Sequence, residues 1–176
     1  MILTTLSLPG LVLITPAVFS DARGYFHEGF SEKKYAEAGI TGPFVQDNVS
    51  FSKKGVLRGL HFQKDPMAQG KLVSVLRGKV VDVAVDIRRE SPTFGKFERV
   101  ELSGENHRQL WIPPGFAHGF LTLSEDVIFC YKCTNYYSPA HDGGIFWNDP
   151  DLAIPWPIKD PIVSEKDGKH PRLIKN

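Results

Sequence analysis

The stretch Lys71-Leu-Val-Ser-Val-Leu-Arg-Gly-Lys-Val-Val-Asp-Val-Ala-Val-Asp-Ile87 decides the fold. Two β-prone runs, 71–76 and 79–87, flank the turn dipeptide Arg77-Gly78. In the second run Val81, Val83, Val85 and Ile87 share one face, and Val80, Asp82, Ala84 and Asp86 share the other, because side chains alternate along a strand. One face is dry and the other partly polar. Two readings follow: the polar side is solvated, or it lines a barrel whose lumen holds a polar ligand. The same texture recurs outward, at 56–63, 96–102, 109–112, 117–123 and 127–137. Between these runs stand turn-rich separators, Glu90-Ser-Pro-Thr-Phe-Gly95, Ser103-Gly-Glu-Asn106 and Pro113-Pro-Gly115. Many short strands at such spacing predict an all-β sandwich or barrel. A single short helix stands out, with Ser31 as N-cap, Glu32 in the first turn and Gly39 closing the run that ends at Ala38.

The chain's 176 residues suffice for one core, so a single domain over residues 1–176 is expected. Lys plus Arg number 21 against 20 Asp plus Glu, a net charge of +1. That balance excludes the broad basic face of a nucleic-acid binder. The first apolar stretch, 6–19, is interrupted by Pro9, Gly10 and Pro16, and no Lys or Arg precedes Arg23. It reads as neither a signal peptide nor a membrane span, which predicts a cytoplasmic protein with no membrane partner. Cys130 and Cys133 have the spacing of a redox or zinc pair, but three residues along a strand reverses the face. They are expected to be ordinary strand cysteines.

Candidate chemistry begins with Arg58 and His61 in Val56-Leu-Arg-Gly-Leu-His-Phe-Gln63 and with His118 in Ile112-Pro-Pro-Gly-Phe-Ala-His-Gly-Phe120. Histidines on strands of an all-β domain suggest a metal site, which needs two close histidines and a carboxylate. Two residues after His61 stands Gln63, so the paired histidine is missing and no metal is expected. Strict alternation also puts Arg58 and His61 on opposite faces. Both reach one ligand only if a bulge intervenes, and Gly59 is the place for it.

Further segments occur in a telling order: Asp21-Ala-Arg-Gly-Tyr-Phe-His-Glu28, Gln46-Asp-Asn-Val-Ser50, Gln69-Gly-Lys-Leu-Val73, Tyr131-Lys-Cys-Thr134, Trp147-Asn-Asp-Pro150 and Ser164-Glu-Lys-Asp167. With those above, they resemble the dTDP-4-dehydrorhamnose 3,5-epimerase family over nearly the whole chain. The resemblance implies a cupin-like jelly-roll barrel with a few short helices, no metal or organic cofactor, and a homodimer with exchanged N-terminal strands. It also implies a dTDP-linked 4-keto-6-deoxy sugar as substrate. Carbons 3 and 5 of that sugar flank the C4 ketone, so loss of either proton gives an enolate with its charge on O4. Such a reaction needs a base on one face, an acid on the other and a group to hold the oxyanion.

By the same resemblance His61 is the base, Tyr131 the acid, Asp167 the carboxylate that orients His61, and Lys71 the cation near O4. Read alone, Asp167 lies in a polar tail and Lys71 at a strand start, both surface positions. Arg23 and Arg58 match diphosphate contacts, for which the guanidinium fork is suited. Glu28, Gln46, Asp47, Asn48, His118, Asp142 and Lys166 match further substrate positions, and Phe26 and Tyr136 are candidates to stack on thymine. Two other functions share parts of this pattern, a mono-epimerase acting at C3 or C5 only and a catalytically silent nucleotide-sugar-binding jelly roll. Binding alone requires no opposed base and acid, so the trio His61, Tyr131 and Asp167 favours an enzyme.

Overall fold

Fifteen elements succeed one another in the computed structural model, which describes residues 1–173. They are β1 (Ile2–Thr5), β2 (Val12–Thr15), β3 (Val18–Asp21), β4 (Gly24–His27), α1 (Glu32–Glu37), β5 (Gln46–Lys53), β6 (Leu57–Gln63), β7 (Lys71–Arg77), β8 (Lys79–Asp86), β9 (Phe97–Ser103), β10 (Gln109–Ile112), β11 (Phe116–Thr122), β12 (Asp126–Cys133), β13 (Asp142–Gly144) and α2 (Glu165–Gly168). A six-stranded sheet runs β1-β2-β10-β7-β12-β5, and a five-stranded sheet runs β13-β6-β11-β8-β9. Among the described residues the β3–β4 hairpin pairs only with itself. All strand pairings in the sheets are antiparallel, giving the expected jelly roll.

The turn between β7 and β8 shows how sequence sets the sheets. Gly78 has φ +81°, and a Cβ there would collide with the Asp126 carbonyl oxygen and the Ser124 hydroxyl, so only glycine lets the chain cross over. Between the sheets lie Val73 and Val75 of β7, Val127 and Phe129 of β12, Val80 and Ala84 of β8, and Phe116 and Phe120 of β11. Phe120 and Phe129 stack across the gap with centroids 4.1 Å apart. Burying each such ring contributes about 1.5–3 kcal/mol.

The polar side of β8 faces this interior, which overturns the solvated reading. Asp82 and Asp86 are both fully buried. Asp86 accepts hydrogen bonds from Arg88 Nη2 at 2.7 Å and from the Ser91 and Thr93 hydroxyls at 2.6 Å each. The turn at 91–95 thus folds back to satisfy a carboxylate that would otherwise be too costly to bury. The opposite side of β8, with Val83 and Val85, is covered by Ile145, Leu152, Ile154 and Trp156 from the C-terminal segment.

Several expectations need correction. The strand from 127 ends at Cys133, and the following residues form the loop carrying Tyr136 and Tyr137. Strands β1 to β5 were not read from the residue pattern, although the resemblance implied N-terminal strands. In β5 the polar residues Asn48, Ser50 and Ser52 turn inward while Val49 and Phe51 are exposed, the reverse of the usual pattern. Helix α1 forms where expected and presses Tyr35 against Ile14, Leu72 and Trp111, although the Ser31 side chain makes no capping hydrogen bond. Cys130 and Cys133 are free thiols at different depths in β12, as strand alternation requires.

Candidate active site

A bulge in β6 builds the first wall. His61 pairs with His118 and Arg58 with Phe120, so three steps along β6 answer two along β11. Gly59 takes φ +139°, and a Cβ there would lie 2.6 Å from Gly119 Cα. No other residue fits such a position. As a result Arg58 and His61 line one hollow together with Ser164, Lys166 and Asp167, the convergence that alternation alone would forbid.

The tail that seemed a surface element is fastened to this strand. Leu57 N–H donates to the Ile162 carbonyl at 2.9 Å, and the Ser164 hydroxyl caps α2 by accepting from Asp167 N–H at 3.0 Å. Asp167 is thereby buried, with Oδ1 2.7 Å from His61 Nε2 and Oδ2 accepting from Gly59 N–H at 3.2 Å. Burial alone would raise its pKa. The hydrogen bond and charge of His61, with the Gly59 and Ser164 contacts, outweigh burial and hold the carboxyl below the usual range. An ionised carboxylate only accepts, so Nε2 carries the proton and the Nδ1 lone pair is left for chemistry.

The second wall comes from the other sheet. A cavity of about 320 Å³ is bounded by His61 on one side and by Tyr131 of β12, Lys71 of β7 and Asn48 of β5 on the other. Lys71 Nζ stands 5.9 Å from the Tyr131 ring centroid. Burial pushes the Tyr131 phenol up, keeping it a proton donor at neutral pH, and pushes the Lys71 ammonium down. A base and an acid therefore confront each other across a space of sugar size, with a cation beside the acid.

The rim carries further residues singled out in the sequence. Asp142 and Lys166 form an ion pair, and the Tyr137 hydroxyl donates to Asp142 at 3.2 Å. Gln46 Nε2 donates to Asn48 Oδ1 at 3.0 Å. Arg58 leans toward β5, donating to the Ser52 hydroxyl at 3.0 Å and the Phe51 carbonyl at 3.2 Å. Gln63 is engaged in structure, for its amide donates to the Met67 and Tyr136 carbonyls and accepts from Ser138 N–H.

Other sequence candidates lie elsewhere. His118 lies in the barrel interior and does not line the cavity: it is buried, with Nε2 2.9 Å from Asp82 and its ring 6.1 Å from that of Phe129. Asp47 faces outward and pairs with Lys132 at 3.0 Å. Tyr136 is exposed on its loop. Arg23 and Phe26 ride on the β3–β4 hairpin, where Arg23 pairs with Asp21 at 2.5 Å and Phe26 is 69% exposed; Glu28, just past it, pairs with Lys34 at 2.9 Å. None of these three lines the cavity of its own chain.

Sequence reasoning missed Tyr137 and Gln69 in the lining, and it missed His170. His170 lies three residues after Asp167, with its ring centroid 5.8 Å from that of His61 in an edge-on arrangement. Among the described residues, His61, Asp167 and His170 form a group whose ligand atoms lie within 4.8 Å of one another, close enough for one metal ion.

The chain is similar to known proteins in sequence and in fold. The sequence profile of the family described as dTDP-4-dehydrorhamnose 3,5-epimerase matches residues 5–175. The Salmonella typhimurium enzyme of that name is 54% identical over 175 residues, covering 98% of this chain and 96% of its own. A crystal structure of dTDP-6-deoxy-D-glucose-3,5-epimerase from Legionella pneumophila in complex with dTDP-4-keto-L-rhamnose superposes with a TM-score of 0.94 at 53% identity, covering 97% of this chain and 92% of its own. The dTDP-4-dehydrorhamnose 3,5-epimerase of Bacillus anthracis, with TDP and pyrophosphate bound, gives a TM-score of 0.95 at 49% identity, covering 97% and 98%.

Proposed function

The chain belongs to the dTDP-4-dehydrorhamnose 3,5-epimerase family and is an isomerase, and we propose that His61, Tyr131, Lys71 and Asp167 carry its chemistry. It converts dTDP-4-dehydro-6-deoxy-D-glucose to dTDP-4-dehydro-L-rhamnose by inverting C3 and C5, a step of dTDP-L-rhamnose biosynthesis. The observation that carries the residue assignment is the His61–Asp167 contact of 2.7 Å facing Tyr131 and Lys71 across one cavity.

His61 Nδ1 takes the proton from the carbon beside the ketone, and the Asp167 carboxylate stabilises the imidazolium that results. The electron pair of that C–H bond moves onto O4, where the Lys71 ammonium meets it. Tyr131 then donates its phenolic proton to the opposite face of the same carbon, which inverts it. His61 must lose a proton and Tyr131 regain one before the second carbon reacts, so both carbons acquire hydrogen from water. No metal or organic cofactor enters these steps.

Arg58 and Lys166 hold the diphosphate, while Gln46, Asn48 and Asp142 fix the sugar end. Asp47 borders the site from outside, and His118 ties β11 to β8 through Asp82. Tyr136 lies beside the nucleoside. We assign one domain to residues 1–176 and a homodimer in which Arg23, Phe26 and Glu28 complete the neighbour's site. Supporting the dimer, Val49 and Phe51 of β5 and Leu76 of β7 are 71%, 54% and 57% exposed, on the two strands that flank β12 in the six-stranded sheet. The two free thiols suit the reducing cytoplasm, where we place the enzyme.

The test separates base from acid. His61→Asn should abolish both epimerisation and C–H exchange with nucleotide affinity kept. Tyr131→Phe should lose inverted product yet retain exchange with configuration unchanged. Normal inversion in His61→Asn would remove the residue on which the assignment stands.

A further inference from the structure

We propose that His61, Asp167 and His170 together form a binding site for a divalent zinc-like cation whose occupation switches the epimerase off. The claim of a switch rests on His61 being the catalytic base; the claim of a site does not.

The donor set is two imidazoles and a carboxylate, a combination that suits zinc and its neighbours in the first transition row. Asp167 Oδ1 stands 2.7 Å from His61 Nε2 and 3.6 Å from His170 Nε2. His170 supplies the independent observation. Its side chain is only 10% exposed, and among the described residues its buried Nε2 has no hydrogen-bond partner. A buried ring nitrogen left without a hydrogen bond is costly, and here it faces a carboxylate oxygen just beyond hydrogen-bonding reach. The ring is also confined, since a Cβ on Gly144 of β13 would collide with it.

Metal–ligand distances of about 2.0–2.2 Å set ligand atoms about 3.3 Å apart in a tetrahedral site. The His170–Asp167 separation is already close to this. The His61–Asp167 hydrogen bond must open by about 0.6 Å to admit the ion. The His61 side chain is 35% exposed toward the cavity, giving the cation a route in and a fourth position open to water.

The consequence for catalysis follows from the proton count. Zinc on His61 Nε2 displaces the proton held there, which passes through solvent to Nδ1. The ring stays neutral as the Nδ1–H tautomer, so the lone pair that should attack the sugar becomes an N–H donor. Asp167 is diverted from the imidazolium to the metal at the same time. The uninhibited reaction is the metal-free one.

The experiment uses the full-length enzyme freed of metal by a chelator and titrated with zinc chloride. Calorimetry should show one zinc per chain, and X-ray absorption at the zinc edge should report imidazole and carboxylate ligands. Turnover should fall by about tenfold or more and return with chelator, while dTDP affinity stays unchanged. His170→Ala and His170→Asn, read without zinc, should keep turnover within about threefold, but should need about tenfold more zinc for inhibition. Absent zinc binding, or equal zinc potency in both His170 variants, would overturn the site. Zinc bound at these ligands with full turnover would overturn the switch and the base assignment together, leaving the site standing.

Discussion

At Lys71 two demands compete: the developing charge on O4 needs a cation, and burial disfavours one. Burial lowers the lysine's pKa, so its charge is lost as pH rises through that lowered value. The alkaline limb of kcat/KM should therefore fall below the ~10.4 of free lysine. Lys71→Met should reduce kcat by about 10²–10³-fold, the usual effect of removing an oxyanion partner. Lys71→Arg keeps a charge that does not titrate and should lose the limb, so an unchanged limb in that variant would assign it to another group. The residues of the site were unequally legible. His61 and Tyr131 lie within long motifs and were found through the family resemblance. Asp167 by itself read as surface, because its burial comes from a tail zipped onto β6 through Ile162, a contact 105 residues distant from Leu57 with no local signal. His118 was matched as a substrate contact; it pairs with His61 and shares its inward face, but it is buried against Asp82.

Elements turn these residues into a site, and the bulge of β6 is the decisive one. Its need was legible in the conflict between alternation and the shared ligand of Arg58 and His61, and Gly59 was the only residue there able to relieve it. Gly59→Ala forces a Cβ against the Gly119 backbone at positive φ. It should destabilise the protein by about 2–5 kcal/mol, combining strain and overpacking, as read by urea unfolding. Stability within error of wild type would show that β6 tolerates another path. Strand β5 was not legible because its apolar residues point outward. That inversion is itself the dimer argument: Val49→Lys with Phe51→Lys should yield monomers in sedimentation velocity and depress turnover by withholding the neighbour's Arg23, Phe26 and Glu28. A fully active monomer would mean that each chain completes its own site.

On the scale of the whole molecule, alternation along β8 revealed the sheet but left open which side was lumen, and the Asp86 cluster closes that question. Burial alone would raise the Asp86 pKa, but the Arg88 guanidinium and the Ser91 and Thr93 hydroxyls hold it far below the usual carboxylate range. A carboxyl whose folded pKa is depressed stabilises the protein above its unfolded value of about 3.9, and that stability is lost as pH falls through the folded pKa. Asp86→Asn should thus cost about 2–3 kcal/mol at neutral pH and flatten the acid loss of stability below about pH 4. Equal acid sensitivity of variant and wild type would point to Asp167 or another carboxylate instead. The whole reaction inverts two carbons through one base and one acid that both exchange with water. Wild-type enzyme, stripped of metal and given dTDP-4-keto-6-deoxy-glucose in deuterated water, should yield L-rhamno product carrying deuterium at both C3 and C5. Deuterium at a single carbon would make it a mono-epimerase, and deuterium at neither would contradict the account outright.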